Sequence, residues 1–379
     1  MDKLPIEIIK IIIEYENKLI ITLTSLNKIL YYQRRYLSID FNYSNINKFK
    51  TNFKIACLYN IWGLPLCMPL SNISKEVFKI KFSNIFNENI DELPKDITDL
   101  IFGYDFNQNV DNLPKSLTHL TFGYKFNKNV DNLPKKLIHL TFGKYFNQCV
   151  DNLPKNIIHL TFGSKFNQSV DNLPQNVNHL TFGSKFNQSV DNLPKNVTNL
   201  IFGNYFNKDI GNLPKSITNL TFGRNFNQNI DNLPQSITNL TFGSWFYIKV
   251  DKLPKNITSL TFGYYFDQTI DDLPQNITHL TFGYKFNRQV DNLPKKITHL
   301  TFGNNFNQKV DNLPENLILL EFGDNFNQKI YNLPKNITHL TLGYYFSQKI
   351  DGLPEKIIYL KIHKNYKDLV KKYPQNYFF

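Results

Sequence analysis

Apolar positions return every 20 residues from about residue 73 to residue 362, and the stretch Leu173 to Asn192, LPQNVNHLTFGSKFNQSVDN, is the unit that the rest copies. Leu-Pro pairs run from Leu93-Pro94 to Leu353-Pro354 without one insertion, 14 in all, and the 16 residues His159 to Pro174 reappear unchanged as His179 to Pro194. A unit this short cannot bury its own apolar face and must stack on its neighbours, so the pattern predicts a solenoid.

In the copy that begins at Leu113 the apolar positions are Leu113, Leu117, Leu120, Phe122, Phe126 and Val130. Leu120-Thr121-Phe122 alternates as a strand does, which predicts a short strand at about Thr118 to Phe122, broken by Gly123. Asp131-Asn132-Leu133-Pro134 is turn and extended-chain chemistry and argues against a helix on the return path. Stacked copies make one parallel sheet with strands about 4.8 Å apart, so roughly fifteen coils span roughly 70 Å. Two phenylalanine columns, Phe102 to Phe322 and Phe106 to Phe346, are expected inside, each buried ring contributing about 1.5–3 kcal/mol. Asn107, Asn127, Asn147 and their successors to Asn227 are expected to form a polar interior column. Its amides bond the backbone of their own coil and the next.

The chain outside the repeats follows other patterns. Asp2 as a cap, Pro5 in the first turn and Ile8, Ile9, Ile12 and Tyr15 predict a helix. A second helical pattern runs through Leu19, Leu23, Leu26, Ile29 and Leu30 towards Arg34-Arg35. Such short helices cannot bury a core alone and need a partner, either the end of the solenoid or another protein. Residues 41–72, with Phe53, Ile55, Leu58 and Trp62, are too apolar for a solvated tether and are expected to cover the first coil's open edge. The expected organisation is a helical module over 1–40, a transition and N-terminal cap over 41–72, the solenoid over 73–362, and a C-terminal cap over 363–379. That last segment carries a helix expected around Lys367 to Lys372. Ser83 stands in the first coil where later coils have Gly.

Two resemblances follow from these residues. LPxxITxLTFGxxFNQxVDN resembles the FNIP repeat, which is grouped with the leucine-rich repeats, over about three quarters of the chain. That resemblance implies a mainly β, leucine-rich-repeat-like solenoid that binds proteins and carries no enzymatic activity. Such repeats occur chiefly in amoebae and in the large DNA viruses that infect them. Leu4-Pro5-Ile6-Glu7-Ile8-Ile9, with Ile12, Leu23 and Leu26, resembles a divergent F-box, short in the middle and without the tryptophan often found after the second helix. It implies that Leu4, Pro5, Ile8, Ile9, Ile12, Leu23 and Leu26 pack on the Skp-type adaptor of a cullin-RING ubiquitin ligase, whose target the solenoid would hold. The alternative is a repeat scaffold with no ubiquitin link, its N-terminal helices acting only as a cap.

Composition narrows the remaining classes. The 379 residues are 41% hydrophobic and carry a net charge of +12, but the lysines are scattered and often sit beside Asp, so no nucleic-acid groove is marked. A polyanion binder would need Lys125, Lys144, Lys165, Lys185 and Lys285 to act together. Three cysteines make no disulfide framework and imply a reducing compartment; a cytoplasmic location is expected, the host-cell cytoplasm if the protein is viral. Lys10, Glu7 and Glu14 interrupt the N-terminal Ile run, which excludes a signal peptide, and no apolar stretch reaches a membrane span. Asn-Xaa-Thr triplets such as Asn256-Ile257-Thr258 are read as incidental.

No paired carboxylates, phosphate-cradling Gly loop or nucleophile with a base interrupts the repeat, so no catalytic residue and no cofactor is expected. His119, His139, His159 and His179 share an outward position, with His279, His299 and His339 later. Asn199, Asn219, Asn239 and Ser259 fill the same slot, so a metal ladder is not expected. The column of Asp111, Asp131 and Asp151 is read as turn-capping, compensated by Lys115, Lys135 and Lys155. Recognition is sought where copies disagree, in the two residues after each Gly. There Tyr104, Tyr124, Lys125, Lys144, Tyr145, Tyr205, Trp245, Tyr264, Tyr265, Tyr284, Tyr344 and Tyr345 should line one rim. Outward apolar residues Ile138, Ile158 and Leu319, the last beside Ile318, are further target-binding candidates.

Overall fold

The computed structural model describes residues 55–58, 78–350, 352–363 and 376–378. The chain divides into two compact units, Met1–Phe53 and Lys54–Phe379. The first unit lies outside the described residues, and with it the helices expected over 1–40. The helix expected around Lys367 to Lys372 lies outside them too.

Among the described residues the second unit is one parallel sheet of 17 strands, with no helix. Its first strands are β1 (Ile55–Leu58), β2 (Lys79–Phe82), β3 (Asp99–Ile101), β4 (His119–Thr121), β5 (His139–Thr141), β6 (His159–Thr161), β7 (His179–Thr181) and β8 (Asn199–Ile201). They continue as β9 (Asn219–Thr221), β10 (Asn239–Thr241), β11 (Ser259–Thr261), β12 (His279–Thr281), β13 (His299–Thr301), β14 (Leu319–Glu321), β15 (His339–Thr341), β16 (Tyr359–Ile362) and β17 (Asn376–Phe378). Each strand pairs with the next in the chain, and between β2 and β16 the register advances by 20 residues, as in Leu120 with Leu140 and Leu140 with Leu160. Segments outside the repeats join this sheet. β1 pairs with β2 and β17 with β16, so the first and last coils both gain a strand partner.

The sequence dictates both the strand and its brevity. In His119–Thr121 the central Leu is buried and its neighbours face outward, the alternation expected of a half-buried strand. Tight turns close the rest of the coil, with the Leu117 N–H donating to Pro114 O at 3.2 Å and the Phe126 N–H to Gly123 O at 3.4 Å. Pro114 loses nothing by its missing donor, because it serves this turn only as an acceptor. Coils are joined outside the strand as well. The Phe122 N–H donates to Thr141 O at 2.9 Å and the Lys125 N–H to Tyr104 O at 2.9 Å.

The two phenylalanine columns are buried throughout. They do not form two separate stacks, however. Phe122 and Phe126 of one coil lie face to face at 3.7 Å between centroids, closer than Phe122 to Phe142 at 5.7 Å or Phe126 to Phe146 at 6.0 Å. The columns therefore merge into one double-width aromatic core, with the tightest contact inside each coil. Leu117, Leu120 and Val130 and their equivalents fill the space around it.

Gly123 has a role different from ending a strand. A Cβ built there would lie 1.6 Å from the Gly103 carbonyl oxygen, and one on Gly183 would lie 2.0 Å from that of Gly163. The column is glycine because the backbone of one coil rests against the backbone of the next. Gly211 occupies a different position, where the nearest atom to an added Cβ is an Asp209 carboxylate oxygen at 3.6 Å. Gly183→Ala should therefore cost about 2 kcal/mol or more, as overpacking against rigid backbone does. Gly211→Ala should stay within about 0.5 kcal/mol of the parent. Urea unfolding of the two variants checks this, and similar midpoints for both would remove the backbone-contact explanation.

Candidate functional site

Most polar columns are committed to holding coils together. The Asn127 N–H donates to Asn107 Oδ1 at 2.9 Å, the Asn187 N–H to Asn167 Oδ1 at 2.8 Å and the Asn207 N–H to Asn187 Oδ1 at 2.9 Å. This ladder does the inter-coil work expected of it, but it is not interior. Its side chains are half-buried or exposed, because each needs only the next coil's amide and no second layer covers it. The Asp column is also structural, for a reason other than lysine compensation. Asn132 Nδ2 donates to Asp111 Oδ1 at 3.0 Å and Asn152 Nδ2 to Asp131 Oδ1 at 3.1 Å, so the following coil's amide meets the carboxylate. Among the described residues no ion pair joins that column to Lys115, Lys135 or Lys155.

The amide ladder is interrupted once by an aromatic residue. The Tyr247 N–H donates to Asn227 Oδ1 at 3.1 Å, but its phenol cannot repeat the favour for the next coil. Asp267 restarts the ladder, accepting from the Asn287 N–H at 2.9 Å and from Arg288 Nη2 at 2.8 Å. Asn187→Ala should cost about 1 kcal/mol by orphaning the Asn207 amide, and Tyr247→Asn should gain a comparable amount. Thermal and denaturant unfolding of both variants measure the two effects, and a Tyr247→Asn protein no more stable than its parent would count against the ladder as a stabilising device.

Outward on the strands, the histidines stack. Ring centroids are 4.3 Å apart for His119 and His139, 4.2 Å for His139 and His159, and 4.3 Å for His159 and His179. Near-parallel rings point their lone pairs side by side rather than at one ion. Among the described residues no group of three or more His, Cys, Asp or Glu is placed to hold a metal. Thr118 Oγ1 lies 2.9 Å from His119 Nδ1, a contact repeated at Thr278 with His279 and Thr298 with His299. In the same column Asn239 Nδ2 donates to Asn219 Oδ1, so an amide ladder takes over where the imidazoles stop.

Partial burial, and then the neighbouring imidazoles, hold the pKa of His139 below the usual 6.5, and the same causes act on His159 and His299. A His whose folded-state pKa is depressed binds fewer protons folded than unfolded, so stability is complete above the unfolded value and falls as pH drops below it. The melting temperature should therefore decline between about pH 6.5 and pH 5. The double variant His139→Asn with His159→Asn should flatten that decline, since the fold already tolerates Asn in this column. An unchanged pH profile would exclude the stack as its cause.

The rim residues lie along the loop that follows each strand, and they fall into groups. Tyr104 and Tyr124 stack at 4.2 Å, and Tyr145 meets Tyr124 edge-on at 5.1 Å. Lys144 Nζ donates to Tyr124 Oη at 2.7 Å, which pulls that phenol below its usual pKa, and also lies 4.8 Å over the ring. Lys165 sits 5.8 Å over Tyr145, while Lys125 is drawn to Asp105 at 2.7 Å. A second group joins Trp245 to Tyr265 at 4.6 Å, Tyr265 to Tyr264 at 4.7 Å and Tyr264 to Tyr284 at 4.7 Å. Tyr344 and Tyr345 meet at 5.1 Å farther along, and Tyr205 belongs to none of these groups.

All of these tyrosines and Trp245 are exposed except Tyr124, which its neighbours half-cover. Ile158 is exposed, whereas Ile138 and Leu319 are half-buried. Exposed Ile201, Tyr247 and Tyr331 were not among the candidates drawn from the sequence. Each breaks a column, replacing Thr, Asn and Asp respectively, and that departure is the signal by which they could have been found. The F-box-like residues Leu4, Pro5, Ile8, Ile9, Ile12, Leu23 and Leu26 lie outside the described residues.

One parallel sheet, coils of 20 residues and turns on the return path define a leucine-rich-repeat-type solenoid scaffold. The chain belongs to the FNIP repeat family, which matches it in ten segments from 86–125 to 331–365. It is similar to the circular leucine-rich-repeat protein CroV588, at 35% identity over 81% of this chain and 63% of that one, with a TM-score of 0.53. YopM from Yersinia enterocolitica WA-314 shares the fold at 19% identity over 80% of this chain and 65% of its own, with a TM-score of 0.58. An internalin, InlF, from Listeria monocytogenes str. 4b F2365 does so at 17% identity over 77% and 88%, with a TM-score of 0.51. The chain thus spans less than two thirds of the length of CroV588 and of YopM. No curated protein sequence matches it.

Proposed function

We propose that this protein is a non-enzymatic interaction scaffold that recognises a protein target and serves as the substrate-recognition subunit of a cullin-RING ubiquitin ligase. Residues 1–40 dock on a Skp-type adaptor through Leu4, Pro5, Ile8, Ile9, Ile12, Leu23 and Leu26. The rim, with Ile138, Ile158 and Leu319 on the sheet face, holds the target. The mechanism is proximity, since a bound target is raised in local concentration beside the conjugating machinery without any chemistry on the array. The cytoplasm, of a host cell if the protein is viral, is the compartment in which such a ligase works.

The observation that carries this reading is the FNIP array joined to Leu4-Pro5-Ile6-Glu7-Ile8-Ile9. The first coil has a strand partner of its own, since Ile55–Leu58 pairs with Lys79–Phe82 as β1 with β2. Co-purification of a Skp-type adaptor with the full chain and with the double variant Ile8→Asp, Ile12→Asp tests the assignment. Adaptor recovery should fall at least about tenfold in the variant, because two charges would be forced into an apolar interface. Equal recovery from both proteins would end the ligase reading. It would leave the scaffold reading untouched.

A further inference from the structure

The rim carries more information than exposure alone. Between Tyr104 and Lys285 the two residues after each Gly include six cations, Lys125, Lys144, Lys165, Lys185, Arg224 and Lys285, against one anion, Asp105. That anion is already engaged, since its carboxylate lies 2.7 Å from Lys125 Nζ. Among the described residues Lys144, Lys165 and Lys185 have no carboxylate partner. They stand on successive coils about 4.8 Å apart, with Lys144 Nζ turned back onto Tyr124 of the preceding coil. An anionic ligand would be drawn to this local excess of positive charge.

The aromatic groups decide what kind of anion fits. Tyr104 covers one face of Tyr124 while Lys144 sits over its ring, and Tyr264 and Tyr284 cover each other. A strand of nucleic acid gains its affinity by stacking bases on open aromatic faces, and beside the lysines Tyr124 and Tyr284 give a face to a neighbouring tyrosine and lie under Lys144 and Lys285. An aromatic edge is the positive end of the ring quadrupole, and a phenol can donate a hydrogen bond. Ammonium groups interleaved with such edges are complementary to side-chain carboxylates.

From this we infer that the rim between Tyr104 and Lys285 is a docking track for an acidic polypeptide segment, Asp- and Glu-rich, of the target protein. The inference rests on the reading of the array as a protein-binding scaffold and names the chemistry of what it binds. An extended segment presents alternate side chains about 6.8 Å apart on one face. Long lysine stems can adjust to that interval while their apolar parts stay on the rim.

The test uses the full chain, a fluorescent 12-residue peptide alternating Glu with Ser, and a single-stranded oligonucleotide of equal charge, read by anisotropy at low and moderate salt. Charge reversal in K144E/K165E/K185E should weaken peptide binding at least about tenfold, and added salt should weaken binding to the parent. The triple variant K195E/K215E/K255E changes the net charge equally but alters the exposed row after the prolines, and should bind as the parent does. Equal losses in the two variants would reduce the effect to net charge and overturn the inference, as would an oligonucleotide that binds as tightly as the peptide. Capture of a protein target by the parent, retained in K144E/K165E/K185E, would also overturn it while leaving the scaffold reading intact. A parent that captures no protein target would instead count against the scaffold.

Discussion

Backbone rests on backbone in this molecule, and the distance at which it does so governs the other contacts. The strands are only three residues long over most of the sheet, too short to fix a register by themselves. Further hydrogen bonds outside the strands, such as Lys125 N–H to Tyr104 O, keep neighbouring coils parallel through the following loop. The glycine column lets that loop close, since a methyl group at any of its positions would enter the previous carbonyl. With the spacing set by main chain, every side-chain column inherits it. Phenylalanine pairs, asparagine amides and imidazoles all repeat at an interval they did not choose.

This inheritance separates groups that hold the array from groups free to face a partner. An amide in the Asn column reaches the next coil's N–H, and a serine such as Ser116 reaches the carbonyls of Lys95 and Ile97, each at 2.6 Å. Gln148 does the same for Asn127. Once these are subtracted, the outward strand face and the rim after the glycine remain. The strand face is filled mostly by Thr, His and Asn whose contacts run along the column, with apolar exceptions at Ile138, Ile158, Ile201 and Leu319. The rim is uneven, and there the coils differ in both size and charge.

The period made the solenoid legible, because alternation around Leu120 and turn chemistry around Pro134 leave few ways to close a coil of 20 residues. Both phenylalanines could be placed inside for the same reason. What the period could not reveal was distance. Gly123 reads as a strand break in one dimension and becomes a contact with Gly103 only when the coils are stacked. The pairing of Phe122 with Phe126 inside one coil likewise depends on the turn that starts at Gly123. At the rim, the sequence shows that Tyr124-Lys125 is followed one coil later by Lys144-Tyr145. That reversal of order brings Lys144 over Tyr124 and Tyr145 against its edge. Variation could be seen in the sequence, but the contacts it creates needed coordinates.

Tyr247 shows why such variation is tolerable. In a structure whose stability sums over neighbouring coils, a lost side-chain contact weakens one interface and is not propagated along the array. The Asn ladder is broken at Tyr247 and resumes at Asp267, while the backbone pairing of β10 with β11 and β11 with β12 continues in register across the gap. Main-chain spacing therefore insulates each coil from substitutions in the next. Trp245, Tyr247, Tyr264 and Tyr265 lie close to that break, so the coils that give up a ladder rung also carry four exposed aromatic residues. A scaffold whose register resides in the backbone can accumulate a recognition surface one coil at a time, at a local cost of about one hydrogen bond.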